Sequence, residues 1–222
     1  MVDQRPLDEN RMMTLPRRLA AAFAFAASTA FLFAPHAAAS MDDPLSREAM
    51  YEDPDAPVSG NPKGDVTIVA FLDYNCPYCK KSVGDLKRIV RDDGKIRLIY
   101  KEWPILGNAS KLASRLALAA NYQGKYEAAH DALMRAVNHS STKAQLVKAL
   151  GNAGIDTKRL EADLTLHGKD IDRALARNDA QGDIVGFQGA PTYLIGPLVS
   201  STLDYAGFKR AVADARARTA AQ

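Results

Sequence analysis

Cysteine is scarce in this chain: Cys76 and Cys79 are the two it has in 222 residues. Separated by two residues, they close too small a ring to act as a structural staple, whose stabilisation grows with the loop it closes. Histidine is scarce as well. A structural zinc site takes about four ligands, and His130, His139 and His167 stand at no short spacing from the cysteines or from one another, so no metal is expected. A c-type haem attachment fails because Lys80, not histidine, follows the second cysteine. Charge of one sign is missing too: 29 Lys plus Arg against 26 Asp plus Glu leave a net +3 with no long single-sign run, which points to no nucleic-acid or membrane partner. The apolar run Leu19 to Ala34 has 16 residues, many of them alanine, against the roughly 20 of a spanning helix. With 47% apolar residues and no repeat or low-complexity tract after residue 39, what remains is an ordinary globular chain rather than a disordered one.

Arg17-Arg18, that apolar run and His36-Ala37-Ala38-Ala39-Ser40 follow in the order of a signal peptide: basic region, hydrophobic core, Ala-x-Ala cleavage site. Cleavage after Ala39 is expected, with Met12 or Met13 as an alternative start. It leaves 183 of the 222 residues, one domain's worth, in an oxidising compartment outside the cytoplasm. Both cysteines survive the cut. There a closely spaced pair is more often reactive than structural.

Residues 40–63 carry Pro44, Pro54, Pro57, Gly60 and Pro62 among acidic residues and read as an arm or linker. Asp65 to Asp73 is β-branched and apolar on both alternating faces, as a central strand covered on both sides must be. Cys79, Val83, Leu86 and Val90 then recur at helical spacing, predicting a helix from about Pro77 to Asp92, ended by Gly94. Ile96 to Glu102 reads as a second strand, closed by Trp103-Pro104. A right-handed crossover makes these two strands parallel. From Asn108 to Val185 the apolar residues step at three or four, with Gly124, Gly151, Gly154 and Gly168 between pieces, predicting four or five helices. Sheet character returns at Pro191 to Ile195 and near Leu198 to Ser200, before a last helix from about Leu203 to Arg218 with Phe208 and Val212 on its buried side.

Cys76-Pro77-Tyr78-Cys79 therefore falls where a strand gives way to a helix. Thiolate is the nucleophile, and unpaired N–H groups at a helix start favour negative charge, so Cys76 is expected to titrate well below ~8.5. A low pKa also makes it a good leaving group. Pro77 suits the first helical position, where its missing N–H is not needed. Cys79, on the side of Val83 and Leu86, is expected to be shielded and to resolve mixed disulfides formed at Cys76.

Strand, Cys-Pro-Tyr-Cys, helix, helical segment and a late Gly189-Ala190-Pro191-Thr192 strand together resemble the DsbA family of periplasmic thiol-disulfide oxidoreductases. The stretches Asp73-Tyr74-Asn75-Cys76 and Lys101-Glu102-Trp103-Pro104-Ile105-Leu106-Gly107 look closest to its copper-sensitivity-suppressor C (ScsC-like) branch. The resemblance covers about Gly64 to Val212. It implies an α/β, thioredoxin-like fold, at residues 64–107 and 186–218, with an inserted helical domain at 108–185. It also implies a cis-proline at Pro191 facing the cysteines, with the backbone of Ala190 before it available to an incoming peptide. Tyr78 and Pro77 belong to the dipeptide that tunes potential in such motifs.

Two departures stand out. Relatives often carry a buried acid six residues before the first cysteine, where this chain has Ala70. Asp73 and Glu102 are the candidate substitutes as a proton relay, although Asp73 more simply ends a strand and Glu102 reads as well as a plain surface acid. Ala190 stands where this branch often has threonine, which alters redox poise. His130 reads as a packing or surface histidine. The function implied is disulfide formation, isomerisation or reduction in unfolded or misfolded exported proteins by a periplasmic monomer. It would need no cofactor beyond the redox-active Cys76-Cys79 pair, and an inner-membrane redox partner of the DsbB or DsbD/ScsB kind. The alternative reading is a copper-binding, copper-protective thiol protein, since two close thiolates suit Cu(I).

Overall fold

The computed structural model describes residue 43 and residues 45–221; the signal peptide expected at residues 1–39 lies outside them. The elements run α1 (Arg47–Tyr51), β1 (Val58–Gly60), β2 (Val66–Leu72), α2 (Pro77–Asp93), β3 (Ile96–Glu102), α3 (Asn108–Asn121), α4 (Tyr126–Ala136), α5 (Lys143–Asn152), α6 (Thr157–Val185), β4 (Thr192–Ile195), β5 (Leu198–Ser200) and α7 (Tyr205–Ala220). The strands form one sheet in the order β1-β3-β2-β4-β5. β2 and β3 are parallel, as the crossover through α2 requires, with Val66 opposite Ile96 and Leu72 opposite Glu102. The other pairings are antiparallel.

β2 is central and covered on both faces, which explains its unbroken apolar run. Ile68, Ala70 and Leu72 join a core with Leu86 of α2, Phe208 of α7 and the apolar sides of α3 to α6. Val69 and Phe71 point the other way, into a smaller core with Met50, Ile99, Trp103 and Leu194. Trp103 and Phe71 meet edge to face, with ring centroids 5.9 Å apart. Gly94 ends α2 at a φ of 70°, a conformation that disfavours a side chain.

Two expectations need correction. Residues 40–63 do not all behave as a linker: Met50 is fully buried, and Val58–Gly60 pair with Arg97–Ile99 as an edge strand. A five-residue helix and a three-residue strand are too short to show a period, so prolines dominate the sequence signal there. Nor does Gly168 divide two helices, because α6 runs through it for 29 residues. A mid-helix glycine costs only about 1 kcal/mol, less than a continuous buried side supplies. That side carries Leu160, Ile171, Ala174 and Asn178.

Candidate active site at the start of the second helix

Tyr74 and Asn75 turn the chain out of β2, and Cys76 becomes the N-cap of α2 with extended φ and ψ of −74° and 117°. Its sulfur accepts the N–H of Cys79 at 3.4 Å. Pro77 occupies the first turn, as its fixed φ favours. Both cysteines are thiols. Cys76 exposes 3% of its surface and Cys79 none, while Tyr78 between them is 62% exposed.

The two sulfurs are driven apart in acidity. A hydrogen bond from the Cys79 thiol is the largest influence on Cys76, and the N–H groups of Cys79 and Tyr78 add to it. Together they outweigh burial and the charge of Asp73, and Cys76 is pushed down to about 6. The helix start thus contributes as expected, but the partner thiol leads. Burial, and then the hydrogen bond it gives to Cys76, push Cys79 far above its ordinary value. At neutral pH one sulfur is largely thiolate and the other stays protonated.

Across from the pair, the Ala190–Pro191 bond is cis. The thiol of Cys76 donates to the carbonyl oxygen of Ala190 at 3.0 Å, so that part of the Ala190 backbone is engaged while Cys76 is protonated. The opposite wall is set by Asp73, which is fully buried. Its N–H meets the Cys79 sulfur at 3.5 Å, and its carboxylate accepts from Asn75 N, Ser110 Oγ and Leu106 N.

Glu102 is not a surface acid: it exposes 2% of its surface at the end of β3. Its Oε1 accepts from the hydroxyls of Tyr74 at 2.7 Å and Tyr126 at 2.5 Å, and its Oε2 from Ser114 at 2.7 Å. Tyr74 also meets Nδ1 of His130 at 3.0 Å. Burial raises the Glu102 carboxyl to about 7, with the three hydroxyls holding it back from going further. Burial pushes His130 down to about 3, so its ring is neutral. His130 is thus a packing histidine, 1% exposed. Among the described residues, no hydrogen bond joins Glu102 to either sulfur. Sequence reasoning missed Tyr74, Ser110, Ser114 and Tyr126, because nothing along the chain marks hydroxyls from three segments as neighbours.

The sheet, the crossover helix that begins on a cysteine, and the second thiol one turn on define a dithiol protein of thioredoxin-like fold with a helical insertion. A family profile described as thioredoxin matches residues 52–214, and the chain belongs to the thioredoxin family. Among solved structures, a thioredoxin-like oxidoreductase from Silicibacter pomeroyi DSS-3 is 38% identical with a TM-score of 0.72, covering 78% of this chain and 98% of that one. The thiol-disulfide exchange protein alpha-DsbA2 from Wolbachia pipientis is 28% identical with a TM-score of 0.71, covering 75% and 90%. ScsC from Proteus mirabilis is 25% identical with a TM-score of 0.67, covering 77% and 76%. These neighbours match the DsbA and ScsC resemblance read from the motifs. Among curated relatives, Na(+)/H(+) antiporter NhaA 3 of Salinispora tropica is 27% identical over 150 residues, 64% of this chain, and the chain spans only 22% of its length. A probable disulfide bond formation protein D of Bacillus cereus is 25% identical over 166 residues, 69% of this chain and 75% of that protein.

Proposed function

We propose that the chain is a periplasmic thiol-disulfide oxidoreductase that forms, isomerises or reduces disulfides in unfolded or misfolded exported proteins. One observation carries the reading: the Cys76 sulfur sits at a helix start with its pKa lowered to about 6, beside a buried, protonated partner. In the oxidised pair, a substrate thiolate attacks Cys76, the Cys76–Cys79 bond breaks, and Cys79 takes up a proton as it leaves. A second substrate thiolate then attacks the substrate sulfur of the mixed disulfide, and Cys76 departs as a thiolate. The substrate has gained a disulfide and the pair two electrons. A low pKa at Cys76 speeds that departure. Reduction and isomerisation begin instead from the reduced pair, with Cys76 attacking a substrate disulfide and Cys79 resolving it.

Names of relatives support this assignment: one is a thiol-disulfide exchange protein, and a Salmonella enterica structure 28% identical to this chain is a periplasmic thioredoxin-like protein. Exposed Tyr78, Ile105 and Leu106 offer apolar surface to an unfolded chain. An inner-membrane redox partner, of the DsbB or DsbD/ScsB kind, would reset the pair, and the protein would act as a monomer without a further cofactor.

Insulin reduction and refolding of a scrambled, disulfide-bonded substrate test the proposal and separate reductase from isomerase. Wild-type protein should show at least one activity and Cys76→Ser neither. If wild-type protein shows neither, while its reduced form binds Cu(I) tightly and stoichiometrically unless alkylated, the copper-protective reading replaces this one.

A further inference from the structure

Asp73 makes five hydrogen bonds, and they divide by function. Its backbone faces the dithiol: the N–H donates to the Cys79 sulfur at 3.5 Å, and the C=O accepts the N–H of Cys76 at 3.2 Å. Its carboxylate faces its own turn and two other segments. Oδ1 accepts from the N–H of Asn75 at 2.6 Å and from the hydroxyl of Ser110 in α3 at 2.6 Å, and Oδ2 accepts from the N–H of Leu106 at 2.9 Å. Asn75 closes the ring by donating its side-chain amide to the same Ser110 oxygen at 3.0 Å. Asp73, Asn75 and Ser110 are all buried.

A buried carboxylate is expensive unless N–H and O–H donors replace its water, and here three do. The start of α3 helps as well. Its N-cap is Gly107, which offers no side-chain cap, so the positive end of the helix faces this region uncapped. The same charge opposes the thiolate at Cys76. A group that works against the nucleophile's ionisation, yet is held by every segment around it, is placed for geometry.

We propose that Asp73 is the positioning residue of the dithiol. Its carboxylate locks the helical insertion and the 103–107 loop to the active-site turn, so that its own N–H seats the Cys79 sulfur for attack on a mixed disulfide at Cys76. The contact with sulfur runs through the backbone N–H, so Asp73 orients and stabilises the attacking sulfur rather than carrying its proton. Asparagine is a sharp probe of this arrangement. Its Oδ1 can keep the bonds from Asn75 and Ser110, but its NH2 would oppose the Leu106 N–H, donor against donor.

The inference deepens the dithiol reading above, and its test reads one intramolecular step whatever the natural substrate is. Reduced protein is treated with 5,5′-dithiobis(2-nitrobenzoate), which places a thionitrobenzoate on Cys76. The Cys79 sulfur then loses its proton to solvent and attacks Cys76. The Cys76–Cys79 bond forms, the bond to thionitrobenzoate breaks, and that group leaves with the electron pair as a coloured thiolate. In wild-type protein the second release follows the first closely. Asp73→Asn and Ser110→Ala should slow the second release by roughly ten- to a hundred-fold, as a small misplacement of a reacting group does, while the first release, normalised to thiolate, stays within about two-fold. Ser110→Thr, which keeps the hydroxyl, should restore the second step. Trp103 fluorescence reports whether each variant is folded; if Asp73→Asn is not, the Ser110 pair decides. A second release unchanged in folded Asp73→Asn or in Ser110→Ala overturns the assignment. Absence of a second release in wild-type protein would instead count against the dithiol function itself.

Discussion

The sulfur of Cys76 lies 3.0 Å from the carbonyl oxygen of Ala190. A carbonyl only accepts, so this bond exists while Cys76 is a thiol and becomes a repulsion once it is a thiolate. Ionisation of Cys76 therefore frees the Ala190 oxygen at the moment the nucleophile is made, and on the proposed function that oxygen would accept the N–H of an incoming extended peptide. On that reading, activation and docking would be coupled through one proton.

That proton should leave near pH 6. Thiolate absorbance at 240 nm in the reduced protein, or the pH profile of iodoacetamide alkylation, should give a midpoint close to that value. Because the Cys79 thiol is the leading influence, Cys79→Ala should raise the midpoint by a unit or more, and Cys79→Ser, which keeps a donor, by less. A midpoint at or above ~8.5 in wild-type protein would remove the basis for a nucleophilic Cys76.

Two helical glycines should respond to alanine with opposite signs. A methyl group on Gly182 would meet the Trp103 ring at 2.9 Å, whereas one on Gly84 meets nothing within 4 Å. Overpacking costs about 1–3 kcal/mol, more than the propensity gained, so Gly182→Ala should lower stability. Gly84→Ala should raise it by about 0.5–1 kcal/mol. Urea denaturation followed by Trp103 fluorescence measures both. Equal effects from the two changes would mean that α6 does not pack on the Trp103 ring as described.

What could be read along the chain was whatever a local pattern enforces. β3 was legible to the residue, because Ile96, Leu98, Ile99 and Tyr100 supply strand-favouring apolar positions and Trp103-Pro104 closes it. The spacing of the cysteines and the proline between them marked the helix start. The cis bond before Pro191 came from resemblance alone, since no composition dictates it. Asp73 and Glu102 were noticed as acids but not for what surrounds them: their partners lie up to 37 residues away, on α3 and α4, and only the folded insertion brings them in. The arm failed for a related reason. Met50 and Asp53 are anchored by residues of β3 and α6, and a short segment between prolines carries no periodicity that could announce it.

Glu102 and His130 make a pH prediction that neither makes alone. The Glu102 carboxyl is raised to about 7 in the fold, so it contributes stability that is complete below its unfolded pKa and is lost as pH rises through the folded one. His130 is lowered to about 3, so it contributes stability that is present above its unfolded pKa and is lost as pH falls. Between about pH 4.5 and 6.5 the native state holds a proton on Glu102, the unfolded state holds one on His130, and the slopes cancel. Wild-type stability should be nearly flat there. Glu102→Gln removes one side of the balance and should lose about 1.4 kcal/mol per pH unit on acidification through that window. Denaturant titrations from pH 4.5 to 7.5 decide it; parallel curves for wild type and variant would mean that one of the two groups keeps its ordinary pKa.

The arm offers the sharpest test of what holds the second face of the sheet. Lys101 is fully buried on β3, and its partner Asp53 exposes 2% of its side chain. Asp53 also accepts from Arg177 of α6 at 2.8 and 2.9 Å, so one carboxylate of the arm ties strand to helix. Burial alone would raise that carboxyl; Lys101, with Arg177 adding to it, outweighs burial and holds it below its ordinary value. Asp53→Asn leaves the buried Lys101 ammonium without its carboxylate, while Arg177 keeps Asp55 at 3.1 Å, and should cost about 3–5 kcal/mol. Replacing both members with apolar residues, Asp53→Leu with Lys101→Met, should recover most of that loss, because no charge is then left without a partner. If the single change costs less than about 1 kcal/mol, the ion pair does not anchor the arm. If the double change is as unstable as the single one, apolar contacts of Met50, rather than an unpaired charge, set the cost.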